Sequence, residues 1–357
     1  MALKLRQLWL RTHRWLGLGV GWILALVALM GALMVVVGPL DRALHPELFL
    51  ARSGPHAMVD LEPLRVRLVQ EFGKDATLTF RPPREAGDSL WVLVRAKWSG
   101  TVYIDPVNGL EQGRRGESDG FRNSLFKLHS ALGLGDTGKA ILAWIALGYL
   151  FFLVTGLILW WPRRWPPSLR IELRKGLLRG LFDIHRTGGA MLGLLIAVSV
   201  ASGAYMAWRP LGEVVTSLAG GTPVKPPKVP KASAKLAPVP LDTLVATARA
   251  QFPEGAVGYI QAPGQDSRPV RIRLILPDDP HPNGISSVWM NPRGGAVLDV
   301  KRWNELDPGA RAVAIVYPLH TGELGGAWLE AVVLLNGLVL GTLGISGIWL
   351  WWKRRRN

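Results

Sequence analysis

The stretch Leu16–Val37, LGLGVGWILALVALMGALMVVV, decides the fold class because it contains no charged side chain. Three further stretches of the same length also lack charge: Ala140–Trp161, Thr187–Trp208 and Ala331–Trp352. About 20 apolar residues are enough to cross the core of a bilayer. The sequence therefore predicts four transmembrane helices, and tryptophans at their ends are typical of membrane interfaces.

The composition of the whole chain agrees with a membrane protein. The chain has 357 residues, a formal net charge of +16, 49% hydrophobic residues and no cysteine. A soluble protein this basic would suggest nucleic-acid binding, but its apolar character argues against that, and we expect no nucleic-acid partner. The absence of cysteine excludes disulfides, thiolate iron–sulfur clusters, covalently attached c-type haem and catalytic thiols.

The positive charge predicts an orientation in the membrane. Most of the excess lies in segments 1–14, 162–186 and 353–357, which four spans place on one side. The positive-inside rule assigns that side to the cytoplasm. We therefore expect a multi-pass membrane protein, with the lipid bilayer as partner, both termini in the cytoplasm, and segments 40–127 and 210–318 outside.

The chain also predicts an internal repeat, in which a span, an outer domain and a second span occur twice. Residues 102–109 read VYIDPVNG and residues 288–295 read VWMNPRGG, and each copy ends in two tryptophans and a basic run. Each outer segment has a helical apolar period followed by alternating strands. The predicted fold class is a membrane α-helical protein, a four-transmembrane-helix bundle from a duplicated unit, with two small α+β outer domains.

The sequence gives the following boundaries for these parts. They are residues 1–38 for the N-terminal cytoplasmic segment and first span, 39–128 for the first outer domain, 129–161 for the outer histidine segment and second span, 162–186 for the basic cytoplasmic loop, 187–209 for the third span, 210–240 for a connector and Pro/Lys-rich linker, 241–318 for the second outer domain, and 319–357 for the last histidine segment, fourth span and basic tail.

Four histidines lie at matched places in the two copies. His13 and His185 precede the first and third spans, and we call them the inner pair; His129 and His320 precede the second and fourth spans and form the outer pair. Packing around a pseudo-twofold axis would bring each pair face to face. Two imidazole pairs at membrane depth fit two bis-histidine haem b sites. Zn, Cu or Ni would need further ligands, and headgroup contacts or helix caps are simpler roles.

Other residues near the histidines have less specific interpretations. Arg14 and Arg186 each follow an inner histidine and could pair with haem propionates, or could be ordinary positive-inside residues. His45, His56 and His281 have no counterpart in the other copy, and we interpret them as solvated loop histidines. Glycines offer close backbone approach near both pairs: Gly17, Gly19, Gly21, Gly188, Gly189 and Gly193 on the inner side, and Gly133, Gly135, Gly138, Gly322, Gly325 and Gly326 on the outer side.

These motifs together resemble the PepSY-associated transmembrane family over nearly the whole chain apart from the linker. The family consists of bacterial inner-membrane proteins, often iron-regulated, and includes siderophore-iron reductases with two b-type haems. The resemblance implies PepSY-like outer domains, two haem b groups and reduction of ferric chelates in the periplasm. It implies as axial ligands His13, His185, His129 and His320. One departure from the repeat is Asn291, where the first copy has Asp105.

The leading functional hypothesis is a transmembrane electron conduit acting as a ferric-siderophore or ferric-chelate reductase that releases Fe(II). No dinucleotide-binding fingerprint is present, so the electron donor would be quinol, a cytoplasmic reductase or a diffusible reductant. The acceptor would bind beneath the outer domains, and no catalytic residue is assigned. The alternative is a membrane-anchored regulator that binds peptides or a protease without haem. A transporter is a third interpretation, which inverted repeats would support.

Overall fold

The computed structural model describes residues 2–54, 58–162, 165–218, 220–221 and 225–356. These residues form two compact units. The helical unit comprises Met1–Val37, Leu125–Val215 and Leu319–Asn357, and the sheet unit comprises Gly38–Ser124 and Thr216–Pro318. Each unit is therefore assembled from separate parts of the chain.

The elements are numbered in chain order. The helices are α1 (Ala2–Leu16), continued through a π-helical turn (Gly17–Gly21) into α2 (Trp22–Leu44), then α3 (Pro46–Phe49), α4 (Leu61–Phe72), α5 (Gly120–Ala131), α6 (Gly135–Trp160), α7 (Leu177–Ala207), α8 (Arg209–Leu218), α9 (Leu241–Gln251), α10 (Pro308–Ala314), α11 (Val316–Thr321) and α12 (Gly326–Arg356). The strands are β1 (Thr77–Arg81), β2 (Leu90–Arg95), β3 (Ser99–Ile104), β4 (Glu111–Gly116), β5 (Ala256–Ala262), β6 (Val270–Ile275), β7 (Ser286–Met290) and β8 (Val297–Lys301).

Four helices among the described residues are long and apolar enough to cross a membrane, as predicted. They are Lys4–Leu44, Gly135–Trp160, Leu177–Ala207 and Glu323–Arg355. Three of them extend well beyond the uncharged stretches, because a helix continues through polar residues once its apolar part is packed. As a result His13 and His185 lie inside long helices, whereas His129 and His320 lie in the shorter α5 and α11.

Small residues bring the long helices into close contact. A Cβ added at Gly341 would lie 2.5 Å from Leu29, and one at Gly344 would lie 2.5 Å from Ala25. Between α6 and α7, the Tyr149 hydroxyl donates to the carbonyl of Gly193 at 2.9 Å. Close backbone approach through glycine is the usual way that helices associate in membranes.

The sheet unit contains one eight-stranded antiparallel sheet, with the order β4-β3-β2-β1-β5-β6-β7-β8. The prediction of two small outer domains therefore needs correction, since both outer segments contribute to a single sheet in a single compact unit. The junction is between β1 and β5, where Leu78 pairs with Ala262 and Phe80 with Ile260. Pairing these two edges removes unpaired backbone groups that a separate four-stranded sheet would expose. The duplication itself stays a prediction.

The helices α4 and α9 cover one face of this sheet and cap each other. The Asp242 carboxylate accepts from the backbone N–H groups of Leu61 and Glu62 at 2.8 and 2.9 Å. In return, the Glu62 carboxylate accepts from the N–H of Leu241 at 2.8 Å. Each acid lies in the first turn of its own helix, where negative charge is favourable. Beneath them, leucines of both helices pack on Val92 and Ile272 in one hydrophobic core.

The two Asx-Pro turns differ in a way that explains the Asp-to-Asn departure. The buried Asp105 carboxylate accepts from the N–H groups of Val107 and Ser53, both at 2.9 Å. Asn291 accepts from the N–H of Arg293 and donates through Nδ2 to the Ser233 hydroxyl at 2.7 Å. The partner in the first turn is a backbone N–H, which an amide nitrogen could not satisfy, whereas the Ser233 hydroxyl in the second turn can accept from an amide. The hydrogen bond between Asn291 and Ser233 also shows that part of the Pro/Lys-rich segment packs on the sheet unit, where Ser233 is buried.

Candidate functional site

The inner pair of histidines meets within the helical unit. The ring centres of His13 and His185 lie 6.3 Å apart, with planes 86° from each other. His13 Nδ1 lies 2.8 Å from the hydroxyl of Thr155, and that hydroxyl donates to the Phe152 carbonyl. His185 Nδ1 lies 3.0 Å from the carbonyl of Leu343. The structure therefore brings together the two histidines that the sequence predicted to pair.

The outer pair meets at a similar distance. The ring centres of His129 and His320 are 6.2 Å apart and their planes differ by 32°. His129 Nδ1 lies 2.9 Å from the Val27 carbonyl. His320 Nδ1 lies 3.1 Å from the carbonyl of Ser199 and 3.0 Å from the Ser202 hydroxyl. The hydrogen bonds therefore follow the same pattern in both pairs.

This pattern determines which ring nitrogen is available for a ligand. A carbonyl oxygen can only accept, so Nδ1 must carry the proton in His129, His185 and His320. The Thr155 hydroxyl already donates elsewhere, so it accepts from His13 in the same way. Each neutral ring then presents the lone pair of Nε2. Histidines that bind metals in proteins usually donate their other N–H to a carbonyl or carboxylate in this manner.

The ring separations agree with two imidazoles sharing one metal atom. An imidazole nitrogen binds a metal at about 2.0–2.1 Å and lies a little over 1 Å from its own ring centre. Two rings on opposite sides of one metal therefore have centres roughly 6–6.5 Å apart. The observed 6.3 and 6.2 Å fall in this range.

Each histidine ring also lies against a glycine of a neighbouring helix. A Cβ added at Gly31 would lie 2.7 Å from Cε1 of His129, and one at Gly203 would lie 2.8 Å from Cε1 of His320. For the inner pair the corresponding distances are 3.2 Å from Gly347 to His185 and 3.5 Å from Gly156 to His13. A larger residue at Gly31 or Gly203 would displace the ring, so these glycines fix where the outer imidazoles lie.

The contacts repeat at constant spacing along the chain. His13 and Gly31 are separated from His185 and Gly203 by the same number of residues. A second constant spacing relates His129, Thr155 and Gly156 to His320, Ser346 and Gly347. In agreement with it, the Ser346 hydroxyl lies 3.2 Å from His185 Nδ1, just as the Thr155 hydroxyl lies beside His13 Nδ1. The two histidines of each pair therefore have equivalent neighbours in the two copies of the repeat.

The two pairs lie far apart along the bundle. Gly203, which contacts His320, follows His185 on α7 by 18 residues (203 − 185). At about 1.5 Å per residue this is about 27 Å of helix. That length is close to the thickness of the hydrocarbon core of a bilayer, about 30 Å. The pairs therefore lie near opposite ends of the spans.

The inner pair lines a cavity of about 1150 Å³. Its walls are mostly apolar and include glycines of all four long helices, among them Gly17, Gly21 and Gly189 from the set noted in the sequence. This volume is slightly above the usual range for sites of small organic ligands and cofactors, about 300–1,000 Å³. A large, flat, apolar ligand fits such a space better than a bare metal ion does.

Arg14 and Arg186 both line this cavity. Arg186 donates through Nη2 to the Ser168 carbonyl at 3.1 Å, while its Nε is buried without a partner among the described residues. A buried donor of this kind is costly unless an acceptor reaches it. An anionic group on a ligand in the cavity would satisfy it, as predicted for a haem propionate.

The set of donor atoms argues against the other metals considered from the sequence. Within the described part of the chain, no group of three or more His, Asp or Glu side chains could hold a metal ion. Zinc prefers four ligands, so a two-histidine site would leave half its positions to other groups. Haem supplies four nitrogen ligands itself and needs only two axial ones. The residues present therefore fit haem.

The remaining histidines have different environments. His45 is partly exposed beside Glu47, with 45% of its side chain accessible, as expected for a loop histidine. His281 is 7% exposed and stacks on Tyr317 with ring centres 5.4 Å apart. The prediction that His281 is solvated was wrong, because the loop folds back on the sheet and its Nδ1 accepts from the N–H of Asn283. His56 lies outside the described residues.

Several neighbours of the histidines were missed from the sequence. Gly31, Gly156, Gly203 and Gly347 lie within the apolar stretches, and an isolated glycine there is the signal that could have found them. Asn336 was also missed, although it is a polar residue inside a span. Its Nδ2 donates to the Ser199 hydroxyl at 2.6 Å, and the Ser199 carbonyl in turn accepts from His320.

The chain matches a known protein family over nearly its whole length. The model of the PepSY-associated TM region matches residues 10–354. The chain belongs to the PepSY-associated TM family. Membership confirms the resemblance seen in the sequence and, with the four candidate spans, indicates that this PepSY-associated TM protein is a multi-pass membrane protein. No similar protein was found in a search of curated proteins.

Proposed function

We propose that this protein is a di-haem b electron-transfer protein of the inner membrane. It would pass electrons from quinol or a cytoplasmic reductase to a periplasmic acceptor, a ferric siderophore or another ferric chelate, which would release Fe(II). The observation that carries the proposal is the occurrence of two histidine pairs, each with ring centres 6.2–6.3 Å apart and each Nδ1 hydrogen-bonded. The separation of the two pairs by about 27 Å of helix suits a path across the membrane.

The residues of the chain would hold and orient the cofactors. His13 and His185 would hold one haem through its iron, and His129 and His320 would hold the other. Bound haem supplies reversible one-electron redox chemistry to a protein. The carbonyl and hydroxyl groups at Nδ1 keep each ring in the tautomer that can ligate, and Gly31 and Gly203 leave room for the outer rings.

The surroundings of the inner pair would bind the remaining parts of a haem. Its apolar walls exclude water and match the macrocycle, and Phe152 lies edge-on to His13 with ring centres 5.4 Å apart. Arg14 and Arg186 would pair with the propionates. The pairing of Arg186 is supported by its unpartnered buried Nε among the described residues.

The predicted orientation supports the direction of transfer. Arg6, Arg354 and Arg355 also line the inner cavity, and they belong to the basic segments that the positive-inside rule assigns to the cytoplasm. A reporter fused to the C-terminus tests this assignment: a fluorescent protein that matures only in the cytoplasm should fluoresce, whereas a periplasmic phosphatase fused there should be inactive.

Spectra of the purified full chain test the cofactor. We expect a Soret band and, after dithionite, a reduced α-band, with two haems per chain by the pyridine haemochrome assay. His320→Ala should remove one haem, and so should His13→Ala. His45→Ala is the matched control, because His45 is a partly exposed loop histidine, and it should retain both haems. Retention of both haems in His320→Ala would refute the pairing, and a colourless wild type tolerant of all four changes would favour the haem-free regulator.

A further inference from the structure

The second half of the sheet carries two arginines on the face opposite the hydrophobic core. Val270, Ile272 and Leu274 of β6 pack in that core. Side chains alternate along a strand, so Arg271 and Arg273 lie together on the opposite face. Both are only partly exposed.

Arg271 is held in place by uncharged groups. Its Nε and Nη2 donate to the Ser287 hydroxyl at 3.1 and 2.9 Å, and its guanidinium carbon lies 4.9 Å from the ring centre of Trp289. The Ser287 hydroxyl itself donates to a backbone carbonyl. These contacts fix the guanidinium plane but do not neutralise its charge.

The positive charge of this pair is not balanced locally. Among the described residues, no carboxylate forms an ion pair with Arg271 or Arg273. Burial and the neighbouring Arg273 lower the pKa of Arg271 to about 10. Arg273 donates to the Gly284 carbonyl, and its Nε is buried without a partner in the described part of the chain. Partly buried like charges are unfavourable unless an anion joins them.

Asp279 is the acid whose charge acts on Arg273, and its carboxylate already has other partners. It attracts Arg273, but its carboxylate accepts from the N–H groups of His281 and Ile285 at 3.0 and 2.6 Å. Burial raises the pKa of Asp279 above its ordinary value. It therefore orders the loop more than it neutralises the arginines.

The fold does not require arginine at these positions. In the sheet register, Phe80 pairs with Val92 in the first half, and Ile260 pairs with Ile272 in the second. Arg271 thus corresponds to Trp91, and Arg273 to Leu93. The first half of the sheet forms with the apolar residues Trp91 and Leu93 at the corresponding positions. The arginines therefore have a role other than forming the sheet.

We propose that Arg271 and Arg273 bind an anionic, carboxylate-bearing Fe(III) chelate. This inference rests on the proposed function, since the acceptor is taken to be a ferric chelate. Carboxylates suit the site because the planar guanidinium binds them through two parallel hydrogen bonds. They also suit the metal, because Fe(III) chelates are built from hard oxygen donors of this type. A cationic chelate would be repelled by the same pair.

Binding of gallium complexes to the detergent-solubilised full chain tests the proposal. Ga(III) resembles Fe(III) in its ligands but is not reduced, so calorimetry reports binding alone. Ga(III)-citrate should bind to wild type. Arg271→Gln and Arg273→Gln should each weaken its binding at least 10-fold, which corresponds to about 1.4 kcal/mol. Arg293→Gln is the matched control, because Arg293 is a surface arginine paired with Asp266, and it should bind like wild type.

Other ligands and variants decide between outcomes. Cationic Ga(III)-desferrioxamine and inorganic phosphate should each bind more weakly than Ga(III)-citrate. The proposal would be overturned if Ga(III)-desferrioxamine or phosphate bound as tightly as Ga(III)-citrate. It would also be overturned if Arg271→Gln left the affinity for Ga(III)-citrate unchanged. If that variant does not fold, Arg271→Lys keeps the charge but loses bidentate geometry, and it must still weaken binding. Haem spectra are recorded on the same samples: failure of wild type to bind Ga(III)-citrate while it carries two haems contradicts only this site, whereas colourless protein contradicts the electron-transfer function.

Discussion

At the scale of single residues, the position of each imidazole depends on hydrogen bonding at its Nδ1 and on one neighbouring glycine. The hydrogen bond to Nδ1 selects the tautomer, and the glycine sets how closely the ring approaches the next helix. Neither feature involves charge, which is costly at this depth of a membrane. The histidines can therefore be ordered within an apolar bundle while Nε2 stays available.

Replacing Gly203 by alanine tests this arrangement. The new Cβ would lie 2.8 Å from Cε1 of His320, so the ring must move. We expect haem bound by the outer pair to be held roughly 10-fold more weakly, as for other changes around metal ligands, and haem content to fall towards one per chain. Gly188→Ala on the same helix is the control, because its Cβ would make an ordinary contact at 3.9 Å. Equal haem content in both variants would contradict the role of Gly203.

The buried His281 predicts a pH dependence of stability in the sheet unit. Burial, with the charges of Arg273 and Arg84, lowers the pKa of His281 to about 4, and its Nδ1 accepts a hydrogen bond that requires the neutral ring. The unfolded chain binds this proton near its ordinary pKa of about 6.5. Because the unfolded state then holds more protons, stability is full above pH 6.5 and falls as the pH drops towards 4.

Thermal unfolding of the full chain in detergent between pH 7 and pH 4.5 measures this effect. His281→Gln cannot titrate, so its unfolding temperature should fall less steeply with decreasing pH than that of wild type. Asp279, whose raised pKa acts in the opposite direction, is present in both proteins and cancels in the comparison. Parallel curves would show that His281 is not the titrating group.

At the scale of elements, the spans were predicted well and their ends were not. Uncharged stretches mark helices because every backbone N–H and C=O must be satisfied internally in lipid. The ends depend on contacts outside the stretch: α2 continues through Pro39 to Leu44, and α7 begins at Leu177 in the segment assigned to the basic loop. The π-helical turn Gly17–Gly21 has no periodic signal in the sequence.

The glycines of α12 give a prediction about helix packing. Gly341 faces Leu29, whereas its neighbour Thr342 is exposed on the outside of the unit. Gly341→Leu should overpack the contact and lower stability by about 1–3 kcal/mol. Thr342→Leu introduces the same side chain one position later and should leave the unfolding temperature close to that of wild type. A similar loss in both variants would mean that the close contact at Gly341 does not set the cost.

At the scale of the whole molecule, the two outer segments are joined by a shared sheet and by reciprocal caps. The pairing of β1 with β5 makes one core out of residues separated by the second and third spans. Asp242 caps α4 while Glu62 caps α9. Neither half can complete its helix ends without the other, so we expect the sheet unit to unfold as one.

Removing one of these caps should destabilise both halves together. Asp242→Ala leaves the N–H groups of Leu61 and Glu62 without their carboxylate, and losing a cap costs about 1 kcal/mol. Chemical denaturation followed by tryptophan fluorescence should show one transition at lower denaturant concentration. Asp136→Ala is the control, because Asp136 is a first-turn acid whose side chain is 97% exposed, and it should behave like wild type. Two separate transitions in Asp242→Ala would contradict the single unit.

The sequence by itself determined the family, the four spans and the choice of four histidines among seven. These rest on local signals, since apolar length and motif spacing are properties of contiguous residues. The matched positions of His13, His129, His185 and His320 also suggested which pairs to expect.

Only the tertiary structure decided how residues far apart in the chain combine. It gave the separation of the rings, the Nδ1 partners, the glycines beneath them and the joining of two outer segments into one sheet. It also showed His281 to be buried and Arg271 and Arg273 to lack an acidic ion-pair partner among the described residues. Such contacts depend on which helices and which strands pack together across the chain, and local composition and periodicity do not specify these partners.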